Sequence, residues 1–421
     1  MTFPKIAARS SQEGSSAAFV IAWLLCLVFF FLTYMLRSAP GVMIPELSTA
    51  FGLTALGVSS LLGLYYYALA AFSIVAGASF DRYGAGLALP ISVFIVAAGS
   101  ALFALSGVGI AGTGRLLQGA GSAFAFTGAV YLAAHAFSAR WLATVIGLTQ
   151  AAGLLGGFAG QFAVGPLVQE LIIWQAFWIY VGVAAGIIAL LFLFITPGTH
   201  APTRGSFWTM FAPYKVILSN PQSYLCGIIA GLLFMPTTIG NMIWGVPFLR
   251  LSLGVEVADA IARSSMVPLG WVIGAPLLGY LADWWGRRKP VLAGAIMLML
   301  AAGIVLVYLH HYLSPSIGGL LFGIASGAAM IPYTIAKEVN PDHAKASTAG
   351  AMNFLVFTFS AVLGPVFGLA LERLSGAEAL TLRSFHLADL IWAGGIVLSL
   401  ILTFFLRETG AAARPAPARA S

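Results

Sequence analysis

Two arginines stand where charge is expensive. Arg37, in Tyr34-Met-Leu-Arg37-Ser-Ala-Pro40-Gly41, belongs to a stretch with no acidic residue between Glu13 and Glu46. At the helical rise of about 1.5 Å per residue it lies roughly 14 Å short of Glu46, where the apolar run ends. Arg115 heads Arg115-Leu-Leu-Gln118-Gly119-Ala-Gly121 in another charge-poor run. A cation at mid-bilayer costs roughly 2.5–3.5 kcal/mol on insertion scales, so it faces protein or a wet cavity. The chemistry open to a buried guanidinium is recognition: its planar fork holds a carboxylate or phosphate through two parallel hydrogen bonds. The bland alternatives are that Arg37 snorkels to the headgroups and that Arg115 satisfies itself on helix carbonyls.

Polar groups at similar depth would complete an anion site. Tyr34 lies one turn before Arg37, and in Tyr65-Tyr66-Tyr67 at least one ring must point inward, because three consecutive helical residues cover about 300°. Tyr66 is taken as that ring. Gln118, Gln150, Asn241, Trp244, Trp271, Tyr333 and Asn353 are the further candidates. The opposing reading of the amides is interhelical glue, worth about 0.6 kcal/mol each. No embedded nucleophile, acid pair or metal-ligand cluster is visible, and none of the five lysines follows a glycine, so a phosphate-cradling Gly-Lys-Ser/Thr is absent. Cys26 and Cys226 both fall in apolar runs, which indicates neither a disulfide framework nor a thiolate site. No enzyme activity, cofactor or metal is expected.

These residues need membrane helices to position them. Sixty per cent of the 421 residues are hydrophobic and 8% charged, against about 25% charged in a soluble domain. Charge-free gaps from Glu13–Arg37 onward are each long enough for a span of about 20 residues, and twelve are counted. The apolar run from Ala17 to Leu36 exceeds a signal-peptide core and reads as a retained first helix. With twelve spans, fourteen basic residues share the side of the termini, whereas Arg250, Arg263, Arg373 and Arg383 lie opposite. The excess places both termini in the cytoplasm, in a cell inner membrane, and replaces the nucleic-acid reading that a net charge of +7 would invite in a soluble protein. The spans are placed at 17–46, 56–79, 87–106, 110–136, 142–166, 171–195, 223–250, 258–282, 289–309, 315–336, 346–371 and 385–407. Residues 1–16 form a tail, 17–195 and 223–407 two six-helix bundles, 196–222 a polar linker, and 408–421 a disordered tail.

The halves repeat. Gly77-x-x-x-Asp81-Arg82-x-Gly84 returns as Gly279-x-x-x-Asp283-x-x-Gly286-Arg287 at an offset of 202, which also carries Gly52 to Gly254. Two six-helix repeats related along the membrane normal enclose a midplane site in many secondary transporters. The charges have diverged: Arg37 corresponds to Ile239 and, at a slightly larger offset, Arg115 to Gly319.

With the doubled glycine-aspartate turn and Arg115-x-x-Gln118-Gly119-x-Gly121, residues 17–407 resemble the major facilitator superfamily. That resemblance implies an all-α membrane protein of twelve helices in two pseudo-symmetric bundles, working by alternating access. It also implies that Gly77, Asp81, Arg82, Gly84, Gly279, Asp283, Gly286 and Arg287 control conformation and latch the outward-facing state. Glu338 and His135, on the same side, could join them. Tyr34-x-x-Arg37 is similar to the organic anion and organophosphate branches, where the arginine contacts the substrate. The chain departs from both: helix 7 has no second arginine in Pro236–Trp244, and the helix 4 acid of sugar-acid symporters is replaced by Gly121-Ser122-Ala123. The function expected is therefore secondary transport, in symport, of a small organic anion, a carboxylate or phosphate ester. The partners are that substrate, the lipid bilayer, and a proton or counter-transported anion, with the protein a monomer. The alternatives are a proton-coupled exporter of amphipathic compounds, a carrier of a zwitterion such as a small peptide, and, last, a non-transporting sensor.

Overall fold

The computed structural model describes residues 5–197, 211–309, 312–341, 345–376, 380–410 and 412, without side-chain detail at 5–16, 81–82, 139–144 and 345–346. Among them are twelve helices long and apolar enough to cross a membrane. They are α1 (Ala17–Val42), α2 (Ala55–Phe80), α3 (Ala85–Phe103), α4 (Val108–Ala136), α5 (Val145–Leu171) and α6 (Trp174–Ile195) in the first bundle. In the second they are α7 (Pro221–Asn241), α8 (Val257–Trp285), α9 (Lys289–Tyr308), α10 (Pro315–Val339), α11 (Ser347–Ser375) and α12 (Leu382–Thr403). The expected count holds. Residues 5–16, expected as a tail, continue the first helix, and most of 408–421 lies outside the described residues.

Within the first bundle α1 packs on α4 and α5, α2 and α3 on α4, and α3 on α6; within the second, α8 and α9 pack on α10, and α7 on α11 and α12. The seam between bundles is made by α2 against α11 and α5 against α8. The outer helices show in their burial: α9 and α12 bury only 33% of their apolar windows, against 78% for α7. Their outward faces, with Phe94, Phe194, Val183 and Ile401, are apolar and exposed, as a lipid contact requires.

The central helices are broken, and proline does the breaking. Pro40 ends the α-helical part of α1 in a 3-10 turn over Ala39–Val42, because its ring removes a donor and crowds the preceding turn. Pro236 opens a widened π-helical turn over Pro236–Asn241 in α7. In α10 a 3-10 turn, Gly327–Met330, precedes Pro332. Two expected spans are therefore shorter than read. α1 is followed by a separate short helix, Ile44–Phe51, and α7 by Gly245–Leu253.

The duplication survives in the backbone. Gly52 and Gly254 close those two short helices at φ 62° and 63°, and Gly84 and Gly286 close α2 and α8 at φ 68° and 69°. A β-carbon is costly in that left-handed region, so each 202-residue pair preserves one conformational requirement.

Candidate functional site

A cavity of about 350 Å³ lies between the bundles. It runs from Phe30, Tyr34 and Arg37 of α1 to Gly147 of α5, Gly279 of α8 and Lys337 of α10, near the ends of those helices on the side of the termini. α2, α4, α7 and α11 complete the wall through Leu69, Ser122, Phe234, Asn353 and Phe357. The outer helices α3, α6, α9 and α12 contribute nothing to it. Among the described residues the lining carries two cations, Arg37 and Lys337, and no carboxylate.

Arg37 is 3% exposed. Its Nε donates to the Tyr65 hydroxyl at 3.3 Å, and that hydroxyl donates to the Thr33 carbonyl at 3.1 Å. The guanidinium carbon lies 4.1 Å from the Tyr34 ring centre and 4.9 Å from that of Phe357, contacts that attract a cation without neutralising it. Nη1 is buried without a hydrogen-bond partner. The arrangement holds a guanidinium through one nitrogen and two rings and leaves donor capacity over.

The other candidates divide. Tyr34, Gln150, Tyr333 and Asn353 line the cavity with Arg37. Tyr333 donates to Asn353 Oδ1 at 2.9 Å. Gln150 spans the bundles, its Nε2 on Met330 Sδ at 3.5 Å and its Oε1 buried without a partner.

Arg115 and Gln118 stand behind the wall. Arg115 Nη1 donates to the Leu36 carbonyl at 3.1 Å and to Gln118 Oε1 at 2.7 Å, and Gln118 Nε2 donates to Ser100 Oγ at 3.2 Å. This set clamps α1, α3 and α4 together and gives Arg115 Nη1 two protein acceptors, while its Nε is buried without a partner. Tyr65, not Tyr66, is the ring on Arg37. Tyr66 is fully buried beside Phe357 with a free hydroxyl, and Tyr67 faces outward, 45% exposed. Trp271 packs under the site on Phe234 at 4.6 Å and Tyr34 at 6.4 Å.

Asn241 and Trp244 belong to a different structure, the closure on the side away from the termini. Trp244 Nε1 donates across the bundles to Ser59 Oγ at 3.2 Å. Gln161 of α5 donates to the carbonyls of Asn241 and Met242, each at 3.3 Å. Asn241 Nδ2 reaches the Ser264 carbonyl at 3.0 Å. The Leu56 amide donates to Glu372 at 3.3 Å. Glycine permits the approach: a β-carbon on Gly41 would drive into the Met242 carbonyl, one on Gly165 would come within 2.6 Å of Ile261, and one on Gly368 within 2.5 Å of Ser59. Several other glycine contacts lie within one bundle. Gly153, Gly156 and Gly160 seat α5 on α1, and Gly270 and Gly274 seat α8 on α10.

On the side of the termini, the repeated turn builds an ion cluster around Arg288, the neighbour of the expected Arg287. Arg288 is 9% exposed and pairs with Asp283 and, at 2.9 Å, with Glu338. Burial pushes its guanidinium down, and the hydrogen bonds it donates to Glu338 and Asp283 more than reverse this, holding it above the ordinary arginine value. Arg287 is exposed. All three members belong to the second bundle, so here the cluster ties the α8–α9 turn to α10 and does not bridge the bundles. Gly279 borders the cavity mouth, and Gly77 leaves room for the Tyr214 hydroxyl, 3.3 Å from where its β-carbon would be. The side chains of Asp81 and Arg82 lie outside the described residues. His135 stacks on Phe19 at 5.2 Å, with Nδ1 2.8 Å from the Tyr131 carbonyl.

Sequence reasoning passed over Phe357, Phe234 and Lys337 as cavity residues. Lys337 carried a signal, a second cation one helical turn beyond Tyr333.

The sequence model described as Major Facilitator Superfamily matches residues 26–365. "Multidrug resistance protein MdtL" of Klebsiella pneumoniae is 25% identical over 195 residues, 45% of this chain and 46% of that protein. A "Triacylglyceride transporter" of Mycolicibacterium smegmatis is 30% identical over 227 residues, 51% of this chain and 38% of that protein. The chain thus spans about half the length of the curated relatives it matches, or less. Among solved structures, a bacterial homolog of the human lysosomal transporter Spinster, inward-facing and occupied, superposes with TM-score 0.74, 16% identity, 95% of this chain and 99% of that one. The nucleoside transporter NupG superposes with TM-score 0.71, 15% identity, 91% and 99%.

Proposed function

This chain belongs to the Major Facilitator Superfamily, and from that premise we propose that it is a secondary transporter of a small organic anion, a carboxylate or phosphate ester. The observation that carries the reading is Arg37, buried at the closed end of a cavity whose lining, among the described residues, holds a second cation and no carboxylate. A ligand anion supplies the missing charge and takes the free Nη1. A cationic substrate would meet two like charges. Tyr34, Gln150, Tyr333 and Asn353 would orient the rest of the molecule.

The bundles rock about the site. With the far side locked by Trp244–Ser59 and Gln161–Asn241, and the cavity reaching the side of the termini, the structure corresponds to the state open toward the termini. In the proposed topology, with cytoplasmic termini in the inner membrane of a bacterium, that state faces inward. The protein works as a monomer and performs no covalent chemistry.

A second reading, export of amphipathic compounds, is favoured by the resistance-protein relatives and by the aromatic wall of Phe30, Phe126, Phe234 and Phe357.

A thermal-shift screen of wild type and Arg37→Ala decides between them. Ligands that bind the native state raise Tm by mass action. Stabilisation by carboxylates or phosphate esters, lost in Arg37→Ala, is the expected result. Equal stabilisation of both proteins by lipophilic cations would transfer the case to the exporter.

A further inference from the structure

Among the described residues no acidic group lines the central cavity, yet a carboxylate lies within a membrane helix elsewhere. Asp389 lies two turns into α12, where that helix is interrupted between Leu382–Ala388 and Leu390–Thr403. It lines a second pocket, of about 90 Å³, inside the second bundle between α7, α9, α10 and α12. At roughly 30 Å³ per molecule of liquid water this is room for about three waters, and far below the 300 Å³ or more of a drug-sized site.

The wall around Asp389 is aromatic, with Trp244, Phe248, Phe322, Phe385 and Trp392. Among the described residues no lysine or arginine lines it. Two titratable groups accompany Asp389: Tyr308 from α9, which lines the pocket and donates to the His386 carbonyl at 2.6 Å, and His386 from its own helix, whose ring is 5.0 Å from that of Tyr308. α7 presents Asn241 and Trp244, α10 presents Phe322 and α11 presents Phe367. Trp392, 6% exposed, lines the same pocket, and the neighbour of its buried indole Nε1 is the Asp389 carboxylate.

An ionised carboxylate with no cation beside it is costly in an apolar pocket, and uptake of a proton removes the cost. A metal cation is a poor occupant, because hard cations want six or more oxygen ligands and this wall offers few. The back of the pocket is also the back of the far-side closure: Asn241 and Trp244 belong to both, and Phe385, one turn before Asp389, packs edge-on against Trp244 at 6.3 Å. The intervening backbone is the π-helical turn of α7, the element already out of α-helical register there.

We propose that Asp389 is the proton-binding site of this transporter, and that its protonation state sets whether the Trp244–Ser59 closure forms. The inference rests on the transport reading but not on the nature of the substrate. Protonated, the carboxyl group sits in the aromatic pocket and α7 holds Trp244 on Ser59. Ionised, it draws water into the pocket and loosens the π-turn. One proton goes from bulk solvent to a carboxylate oxygen, and no bond other than O–H forms or breaks.

The test needs no ligand. Spin labels on Thr49→Cys and Leu251→Cys, on the two short helices that flank the far side, report the opening by pulsed dipolar spectroscopy on the full chain in nanodiscs. Cys26 and Cys226 are buried and stay in place. The expected result is a distance distribution that shifts between acidic and alkaline buffer in the labelled parent, is held in the closed, acid form in Asp389→Asn, and shifts again in Asp389→Glu with a displaced midpoint. Asp389→Glu also guards against misfolding as the explanation. A pH-dependent shift unchanged in Asp389→Asn, a shift abolished instead by His386→Gln, or a parent that does not respond to pH would each overturn the proposal. Because no substrate is present, failure of the anion reading would show in the Arg37 screen and leave this measurement unaffected.

Discussion

Arg37 and Arg115 reach the same phenol from two helices. The Arg37 guanidinium carbon is 5.8 Å from the Tyr65 ring centre and that of Arg115 is 4.8 Å from it. Only Arg37 also bonds the hydroxyl. The ring separates a cation on the cavity wall from one behind it whose Nη1 is committed to the scaffold, and each keeps one buried nitrogen without a partner. Different consequences of mutation follow.

Tyr65→Phe removes the hydroxyl that fixes Arg37 Nε and leaves the ring in place. One hydrogen bond of this kind is worth about 0.5–1.5 kcal/mol, so anion affinity should fall by up to about tenfold with little loss of fold stability. Titrating the ligand-induced Tm shift measures this. An unchanged affinity would mean that the hydroxyl does not position the guanidinium.

Arg115→Ala should behave in the opposite way. It strips a donor from the Leu36 carbonyl and from Gln118, and each buried acceptor left unpaired costs about 1–3 kcal/mol. Ligand-free Tm should drop markedly while the affinity of the folded protein changes by less than about threefold. Lost binding at normal Tm would return Arg115 to the substrate site.

Two glycine substitutions with equal local overlap should part company. Gly41→Val collides with the Met242 carbonyl across the bundles, and Gly156→Val with the Phe31 carbonyl within one. The first can be relieved by opening the far side, so it should raise alkylation of a cysteine placed at Ser59 while leaving Tm nearly intact. The second has no such escape and should lower Tm by the overpacking cost of about 1–3 kcal/mol. Equal destabilisation by both would deny that the Gly41 contact separates during the cycle.

Arg288→Ala should cost about 1 kcal/mol of stability, because its partners are partly exposed and screened. The deficit should shrink in high salt as the pairs in the parent weaken. A salt-independent loss would point to packing of the Arg288 stem instead of charge.

The twelve spans, the doubling and the placement of Arg37 at depth were legible in the chain. They depend on local quantities: run length against bilayer thickness, the 202-residue return of glycines that need positive φ, and the cost of a lone charge in lipid. The choice of Tyr65 over Tyr66 was not legible. Neighbouring helical residues differ by only 100°, and the phase of α2 is set by Gly119 of α4, on which the Tyr65 carbonyl rests. Nor does the sequence separate Arg37 from Arg115 in role, since both are arginines in apolar helices; the Leu36 carbonyl, 79 residues away, is what ties one of them to the scaffold. Asn241 and Trp244 looked like cavity groups because they are polar at depth. The break at Pro236 and the closing of the two bundles turn them into the far-side lock. Sequence alone thus decided which stretches are long and apolar enough to span a membrane and which polar groups fall within them. Which of them meet, and which remain for a ligand, was decided by helix phase and by contacts between residues distant in the chain, quantities that no local stretch contains.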